Sequence, residues 1–320
     1  MKITEKDLKL LVYLYHNNRE SLAKIARETG LSRIQVEYKL NKFMEEGIIK
    51  SFFTIFNYNY FGYRNYILAF IKLEKYSSIN KLIARLEESK NCISLGECFG
   101  KYDLFVNLIF KNEDDINNFM SDLMSSKEYP ISNYIIIRPY LTELHPLKIA
   151  SNKKNSILPI ISEKSEEKNF SKKDLEILKI LSNNSRESII KIARKTGISA
   201  EMVLHKIKKF QREKIIIGSR TEIKMKKLGY NYSIILLNIR NLSTNTKEKI
   251  INFSRKEKRV NSLILQIFDP NCIIQIFHET EDELKNEVIK IKELLKEETF
   301  DLDVILAQEE NKINTLPFLK

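Results

Sequence analysis

Hydrogen-bonding and cationic side chains recur at short intervals between residues 19 and 43, where the sequence reads RESLAKIARETGLSRIQVEYKLNKF. An arginine can bond guanine O6 and N7, a glutamine can bond adenine N6 and N7, and lysines neutralise phosphates. This chemistry predicts a contact with nucleic acid. The side chains predicted to make it are Ser21, Ser32, Arg33, Gln35, Tyr38, Lys39 and Lys42.

The spacing of the apolar residues in this stretch predicts two short helices joined by a tight turn. Ser21 is typical of a helix cap, and its hydroxyl can bind a phosphate together with the first amides of that helix. Gly30 ends the helix because glycine takes the left-handed conformation at little cost. Ser32 and Gln35 have the spacing of a capping box at the second helix. The pattern indicates a helix-turn-helix, and an ordinary pair of antiparallel helices is the alternative.

A helix before this motif and an extended segment after it complete the first unit. The earlier helix is predicted to begin at Thr4, with Asp7 near its free amides. After Gly47 the sequence IIKSFFTIFNYNYFGY is β-branched and aromatic, which predicts a short hairpin. A hairpin that follows a recognition helix is the wing of a winged helix-turn-helix.

Strand and helix patterns alternate from Asn65 onward in the order β-α-β-β-α-β. This is the order of a ferredoxin-like split domain. Its strands are apolar on both faces, although helices cover only one face of such a sheet. We therefore expect another copy of the domain to cover the open face.

The whole pattern starts again in the second half of the chain. Residues 171–210 align with residues 4–43 without a gap, so that Asp174 matches Asp7 and Gly197 matches Gly30. A polar segment rich in Ser, Lys and Glu separates the two copies. The predicted fold class is α+β, with two winged helix-turn-helix domains alternating with two ferredoxin-like (βαββαβ) domains. Their predicted bounds are 1–60 and 61–149 in the first half, 150–168 for the linker, and 169–227 and 228–320 in the second half.

The second copy keeps the scaffold of the helix-turn-helix but changes the residues on its outer face. Glu201 and His205 stand where the first copy has Ile34 and Tyr38. The two reading helices should therefore prefer different bases, or the second contributes mainly non-specific affinity. The predicted contacts of the second copy are Ser188, Ser199, Glu201, His205, Lys206 and Lys209.

Together these motifs resemble the Lrp/AsnC transcription regulators, in which a winged helix-turn-helix precedes a split β-α-β-β-α-β domain. The resemblance covers both halves and is strongest from Ser21 to Ile49 and at the turn Gly100-Lys101-Tyr102-Asp103. It implies double-stranded DNA as the partner. It also implies two fused protomers that form an intramolecular pseudo-dimer and associate further as a homo-oligomer.

By the same resemblance, the turn at Gly100 borders the site where an amino acid or another small molecule acts as effector. Gly100, Tyr102 and Asp103 are the predicted effector-binding residues, because glycine lets backbone amides approach a carboxylate and Asp103 can pair with an amino group. The alternative is a hairpin turn with a capping aspartate. The second half has Asp269-Pro270-Asn271-Cys272 at this place, so the first half is the preferred site.

The composition predicts a soluble cytoplasmic protein that meets a polyanion. The formal net charge is +12 and the pI is near 9.3. Three cysteines without a CxxC pair and four scattered histidines predict no metal, no cofactor and a reducing compartment. No apolar run approaches the roughly 20 residues of a membrane span, so no membrane partner is expected.

Two other classes of function compete with a DNA-binding regulator. Siroheme decarboxylases of the alternative haem pathway look similar to Lrp/AsnC proteins over their whole length, and their chemistry needs a basic pocket and a histidine or tyrosine acid. No histidine repeats at matching positions of the two halves, so no catalytic residue is predicted. A DNA-packaging protein is the third class, but a wing and two distinct reading faces favour sequence discrimination.

Overall fold

The computed structural model describes residues 3–149, 157–159, 166–308, 310 and 312–319. The first unit consists of α1 (Glu5–Asn17), α2 (Leu22–Thr29), α3 (Arg33–Glu45) and β1 (Ile49–Phe56). Thr4 and Asp7 form a capping box at α1, and Ser32 and Gln35 form another at α3. Gly30 ends α2 with a φ of 71°. The predicted starts and ends of these helices are confirmed.

The first split domain contains β2 (Asn65–Leu73), α4 (Ile79–Glu87), β3 (Cys92–Phe99), β4 (Leu104–Phe110), α5 (Glu113–Ser125) and β5 (Ile131–Ile137), and β6 (Leu141–Leu144) and β7 (Leu158–Pro159) follow it. Its four strands lie in the order β5-β2-β4-β3. Alternate residues of β2, such as Ile67 and Ala69, are buried on the face that α4 and α5 cover. The domain thus has one helix-covered face and one face free for another partner.

The second half repeats this succession of elements. Its helical unit contains α6 (Lys172–Asn183), α7 (Ile189–Thr196), α8 (Ala200–Arg212) and β8 (Ile216–Ile223). Its split domain contains β9 (Asn231–Ile239), α9 (Thr244–Lys256), β10 (Val260–Leu265), β11 (Cys272–His278), α10 (Glu281–Leu294) and β12 (Phe300–Ala307), and β13 (Lys312–Ile313) follows. The strand order β12-β9-β11-β10 matches that of the first domain. The predicted α+β fold with a tandem duplication is confirmed.

The hairpin predicted after Gly47 is wrong. β1 is a single strand, and it pairs antiparallel with β8 of the second unit, with Phe53 opposite Arg220. The chain does not fold back after β1 because residues 58–61 form a 3₁₀ turn, which the side chain of Asn57 caps. The wing is therefore a two-stranded sheet to which each half contributes one strand.

Each wing strand also completes the core of the opposite helical unit. Phe56 at the end of β1 is buried in the cluster that holds the apolar side chains of α6, α7 and α8. Met225, just after β8, is buried among the side chains of α1, α2 and α3. Because both cores use residues of the other half, the predicted helical domains are not separate packing units.

The open faces of the two split domains pack against each other. Phe70 and Phe105 of the first sheet are buried in one cluster with Ile234 and Ile273 of the second. The expectation that a second copy covers the open face is confirmed, and this copy is the other half of the same chain.

Strands cross between the halves at both ends of this interface. β6 pairs with β10, while the end of β12 and the short β13 pair with β3. Glu143 on β6 is 6% exposed and accepts two hydrogen bonds from the guanidinium of Arg255 on α9. These crossings join the two sheets into one continuous ladder.

The segment predicted as a linker, residues 150–168, is in part a strand. β7 pairs with β6 and thereby extends the sheet of the second half. Residues 150–156 and 160–165 lie outside the described residues. Within the described ranges, no helix is long and apolar enough to cross a membrane.

Candidate nucleic-acid interface

The amino-terminal end of α3 presents the side chains with the strongest base-reading chemistry. Ser32, Arg33 and Gln35 are exposed there, and Tyr38 is 63% exposed one turn further along. The Gln35 Oε1 accepts from the Ser32 amide at 2.9 Å, which closes the capping box. The amide nitrogen of Gln35 remains available to a base. Arg33 takes no part in the capping box, so its whole guanidinium is available.

Lys39 and Lys206 are held by carboxylates behind the reading helices. Lys39 binds Asp7 at the start of α1, and Lys206 Nζ lies 2.7 Å from Oδ1 of Asp174 at the start of α6. Burial alone would raise the pKa of both aspartates, but the hydrogen bonds from the lysines and from the capping residues lower it. These lysines fix each reading helix on the helix behind it, and their predicted phosphate contact stays a prediction.

Lys42 and Lys209 lie one turn further along their reading helices. Lys42 is partly exposed, with its Nζ 5.9 Å from the ring centre of Tyr38. Lys209 is exposed, and the neighbouring Lys208, which the sequence reasoning left out, is exposed beside it. Arg212 at the end of α8 is a further exposed cation. A count of lysines and arginines on the outer face of α8 would have found both.

The capping serines of the two turns occupy equivalent places. The Ser21 Oγ accepts from the Lys24 amide at 3.3 Å, and the Ser188 Oγ accepts from the Lys191 amide at 3.2 Å. Both serines are exposed, so the hydroxyl proton of each is free to reach a phosphate at the helix terminus.

The outer face of α8 differs from that of α3 in its chemistry. Ser199 caps the helix by accepting from the Met202 amide at 3.1 Å. Glu201 and His205 are exposed, and Met202 is 48% exposed between them. Ala200 and Met202, which stand at the positions of Arg33 and Gln35, cannot make the contacts of those residues, so the two helices present unlike surfaces.

The two helical units contact each other reciprocally through the short segments that precede α2 and α7. Arg19 donates to the carbonyl oxygens of Ser185 and Glu187, while Arg186 donates to that of Asn18. The hydroxyl of Ser185 donates to the Asn18 Oδ1 at 2.8 Å. Burial lowers the pKa of both arginines, and the neighbouring Arg186 lowers that of Arg19 further. We call this contact the arginine clasp; it joins the two helical units directly.

The turn predicted to bind an effector is engaged with its own domain. Gly100 has a φ of 112°, and Tyr102 is 2% exposed in the interface between the two sheets. The Asp103 carboxylate accepts from Lys72 Nζ at 2.7 Å and from the Leu73 amide at 2.9 Å. An amino group could bind Asp103 only by displacing Lys72, and the effector role of this turn stays a prediction.

Comparison with known proteins places both helical units in one family of domains. The family model described as winged helix-turn-helix DNA-binding matches residues 3–50 and 170–217. The HTH-type transcriptional regulator FL11 of Pyrococcus horikoshii is 31% identical over 126 residues, which cover 39% of this chain and 81% of that protein. The HTH-type transcriptional regulator Ptr1 of Methanocaldococcus jannaschii is 30% identical over 128 residues, which cover 40% of this chain and 82% of that protein.

Two winged helix-turn-helix units on two split β-α-β-β-α-β domains define a helix-turn-helix protein in which the whole architecture is present twice. The chain belongs to the Lrp/AsnC family of HTH-type transcriptional regulators, as a tandem duplication.

A solved structure shares the fold over almost the whole chain. The crystal structure of the siroheme decarboxylase NirDL matches with a TM-score of 0.64 and 13% sequence identity, covering 99% of this chain and 96% of that one. At this identity the likeness shows the fold alone. It demonstrates that the paired arrangement of two such units also occurs in an enzyme.

Proposed function

We propose that the protein is a sequence-specific transcriptional regulator that binds double-stranded DNA through two unlike reading helices, α3 and α8. The observation that carries this proposal is the repeated helix-turn-helix scaffold with different exposed residues on its two reading faces. A protein that only packaged DNA would need the positive charge but not the difference between the faces.

Each predicted contact has a role in this proposal. Arg33 reads a guanine in the major groove, and Gln35 and Tyr38 read the neighbouring positions. Glu201 and His205 read the second half-site, where a carboxylate accepts from cytosine N4. Phosphates are bound by the remaining residues, which are Ser21, Ser32, Lys39, Lys42, Ser188, Ser199, Lys206 and Lys209.

Selection of bound fragments from a random DNA library tests the proposal directly. We expect an operator with two unlike half-sites at one fixed spacing, because the arginine clasp holds α3 and α8 together. Binding to a scrambled sequence at the same salt concentration gives the specific to non-specific ratio. A ratio near one would support a DNA-packaging protein and contradict the proposal.

Substitution of single contacts separates base reading from phosphate binding. Arg33→Ala should cost about 1–3 kcal/mol of binding free energy and relax the preference at one base pair. Lys209→Ala should weaken binding to all sequences alike and reduce the slope of log K against log salt by about one. Lys209 is the better comparison than Lys206, whose ion pair with Asp174 also supports the fold. Equal effects of both variants on all sequences would contradict the assignment of Arg33.

We infer that the protein does not act as a siroheme decarboxylase, although it shares the NirDL fold. The cavity between its halves has a volume of about 150 Å³, which suits one ring, whereas a tetrapyrrole has four. Among the described residues that line it, only Arg220 and Lys224 are cations, there is no histidine, and the hydroxyl acids are the tyrosines Tyr15, Tyr58, Tyr66 and Tyr232. The size of the cavity and its few cations therefore support the inference. A Soret shift on mixing with siroheme, together with loss of its carboxyl groups, would overturn this inference.

We also propose that a small molecule modulates DNA binding, without naming that molecule. An amino acid at Gly100, Tyr102 and Asp103 would have to compete with Lys72 for Asp103. Titration of the DNA complex with amino acids would show modulation, and Asp103→Asn would abolish it if this turn is the site. Association of fused chains into a homo-oligomer stays a prediction, which sedimentation velocity would test.

A further inference from the structure

A cavity of about 150 Å³ lies between the β1–β8 pair and the two facing sheets. Phe53 and Arg220, which line it, are equivalent residues of the two halves and stand opposite each other in the β1–β8 ladder. Tyr66 and Tyr232, at the starts of β2 and β9, form a second equivalent pair on its wall. The cavity therefore surrounds the pseudo-two-fold axis that relates the halves.

The two halves have diverged at this cavity. The first half contributes Phe53 and Ile55, where the second contributes Arg220 and Glu222. Glu222 is already paired, because its carboxylate lies 3.0 Å from Lys50 Nζ. The duplication has thus placed a guanidinium on one side of the cavity and an aromatic ring on the other.

Arg220 and Glu310 are opposite charges that both face the cavity. Arg220 donates from Nη2 to Tyr15 and, at 3.0 Å, to the Asn261 Oδ1, and in the described part of the chain its Nε and Nη1 have no acceptor. The Glu310 Oε1 accepts from Ser94 and Asn107, and its Oε2 has no donor among the described residues.

Arg220 and Glu310 carry opposite charges, but their side chains do not form an ion pair with each other. Burial lowers the pKa of Arg220 and raises the pKa of Glu310, and their mutual attraction opposes both shifts. In the described ranges no ion pair joins them. Arg220 has hydrogen bonds and lies over the ring of Tyr15, with its Cζ 4.5 Å from the ring centre. Glu310 also has hydrogen bonds, but neither group has an opposite charge bonded to it among the described residues. Burial of a charge without an ion-pair partner is costly, so a molecule that carries both complementary charges would stabilise both groups.

Two buried hydroxyls add to the unsatisfied groups. Thr142 and Thr315 line the cavity and are each 3% exposed, and within the described residues the hydroxyl oxygen of each lacks a hydrogen-bond partner. Orphaned buried polar groups are rare in folded proteins. Both hydroxyls are therefore available to hydrogen-bond a polar molecule in the cavity.

We propose that this cavity binds one small aromatic zwitterion, of the size of an aromatic amino acid, with its carboxylate on Arg220 and its ammonium group on Glu310. The walls carry aromatic rings, among them Tyr15, Phe53 and Phe277. A cavity of about 150 Å³ takes up one benzene-sized ring. The site is distinct from the turn at Gly100, which does not line this cavity.

Isothermal titration of the full chain with matched ligands tests the proposal. L-phenylalanine, L-tyrosine and L-tryptophan carry both charges, 3-phenylpropionate carries only the carboxylate, and phenethylamine carries only the ammonium group. We expect one amino acid of the three to bind with a stoichiometry of one per chain. Each singly charged analogue should bind at least about tenfold more weakly, since it leaves one protein charge unpaired.

Two variants assign the charges to their residues. Glu310→Gln should abolish the advantage of the amino acid over 3-phenylpropionate, because the ammonium group loses its partner. Arg220→Met, which keeps an unbranched apolar side chain but removes the guanidinium, should abolish the advantage over phenethylamine. Arg240→Met is the matched control, because Arg240 is exposed at the end of β9. Circular dichroism checks that each variant is folded.

The ligand experiment is independent of DNA, so it can fail or succeed separately from the proposed regulatory function. Absence of binding by all three amino acids at millimolar concentration would overturn the proposal. Equal binding of the amino acid and its singly charged analogues would do the same. If the wild-type pattern persists in Glu310→Gln or Arg220→Met, the ligand occupies another site and the assignment is wrong.

Discussion

Two lysines of the reading helices, Lys39 and Lys206, make the same contact in both halves of the molecule. Each binds the aspartate of a capping box, and each side chain is 23% exposed. The contact ties the reading helix to the helix behind it. The orientation of α3, and with it the direction of Arg33, therefore depends on the ion pair between Lys39 and Asp7.

Replacement of Lys39 by methionine should lower the free energy of unfolding by about 1 kcal/mol at pH 7. Burial raises the pKa of Asp7, but its bonds with Lys39 and Thr4 outweigh burial and lower it. The stabilisation is therefore present above the unfolded pKa of about 3.9 and is lost as the pH falls through the lower folded value. Urea unfolding at pH 7 and at pH 3 should show a smaller difference at pH 3. Lys42→Met is the control, and a loss that does not depend on pH would contradict the role of Asp7.

Among the elements, β6 is a strand of the first half that pairs within the sheet of the second half. It leaves the first sheet after β5, pairs with β10 of the second, and is held there by Glu143. Burial favours protonation of Glu143, but the hydrogen bonds from Arg255 and the proximity of His145, whose Nε2 lies 3.4 Å from Oε2, hold its pKa at about 2. The strand is thus fixed to α9 by a carboxylate that stays charged.

Glu143→Gln should destabilise the protein by about 2 kcal/mol at pH 7, since Arg255 loses a charged acceptor for its two hydrogen bonds. A depressed folded pKa stabilises above the unfolded value near 4.3, and this stabilisation disappears as the pH falls toward about 2. Thermal unfolding of wild type and variant between pH 7 and pH 2 should therefore converge at the acid end. Glu113→Gln, whose pair with Arg138 is exposed on both sides, should change stability by less than about 0.5 kcal/mol.

The sequence allowed the helices and the order of the strands to be predicted, because caps and periodicity are local signals. Ser32, Gln35 and Gly30 mark helix ends that the structure confirms. The partner of β1 was missed because the pairing of Phe53 with Arg220 joins residues 167 positions apart, and no local turn signal reports it. The ion pair of Lys39 with Asp7 was missed for a similar reason. Helical spacing places Lys39 on the outer face of α3, but it does not show that α1 lies beside that face.

At the scale of the whole molecule, the wing, the sheet interface and the arginine clasp join the halves at three levels. The clasp lies between the two helical units and consists of guanidinium bonds to carbonyl oxygens of the other unit. We therefore expect these contacts to hold α3 and α8 at one distance from each other.

Loss of the clasp should make binding tolerant of half-site spacing. Insertion of one base pair shifts one half-site by about 3.4 Å and rotates it by about 35°. Wild-type affinity for the selected operator should fall steeply on this insertion, while Arg19→Ala/Arg186→Ala should lose much less between the two operators. Arg64→Ala/Arg240→Ala removes the same charge from exposed positions and serves as control in a gel-shift assay. An unchanged ratio in the clasp variant would show that other contacts set the spacing.

The pairing of Phe53 with Arg220 has a consequence for how such a molecule can evolve. In a dimer of identical chains, every residue beside the symmetry axis meets its own copy. An arginine at this position would face a second arginine, and two like charges about 4 Å apart repel by about 4 kcal/mol at an effective dielectric constant of 20. Fusion of the two units into one chain removes this restriction, because one copy can be a cation while its counterpart is aromatic, as in Arg220 and Phe53.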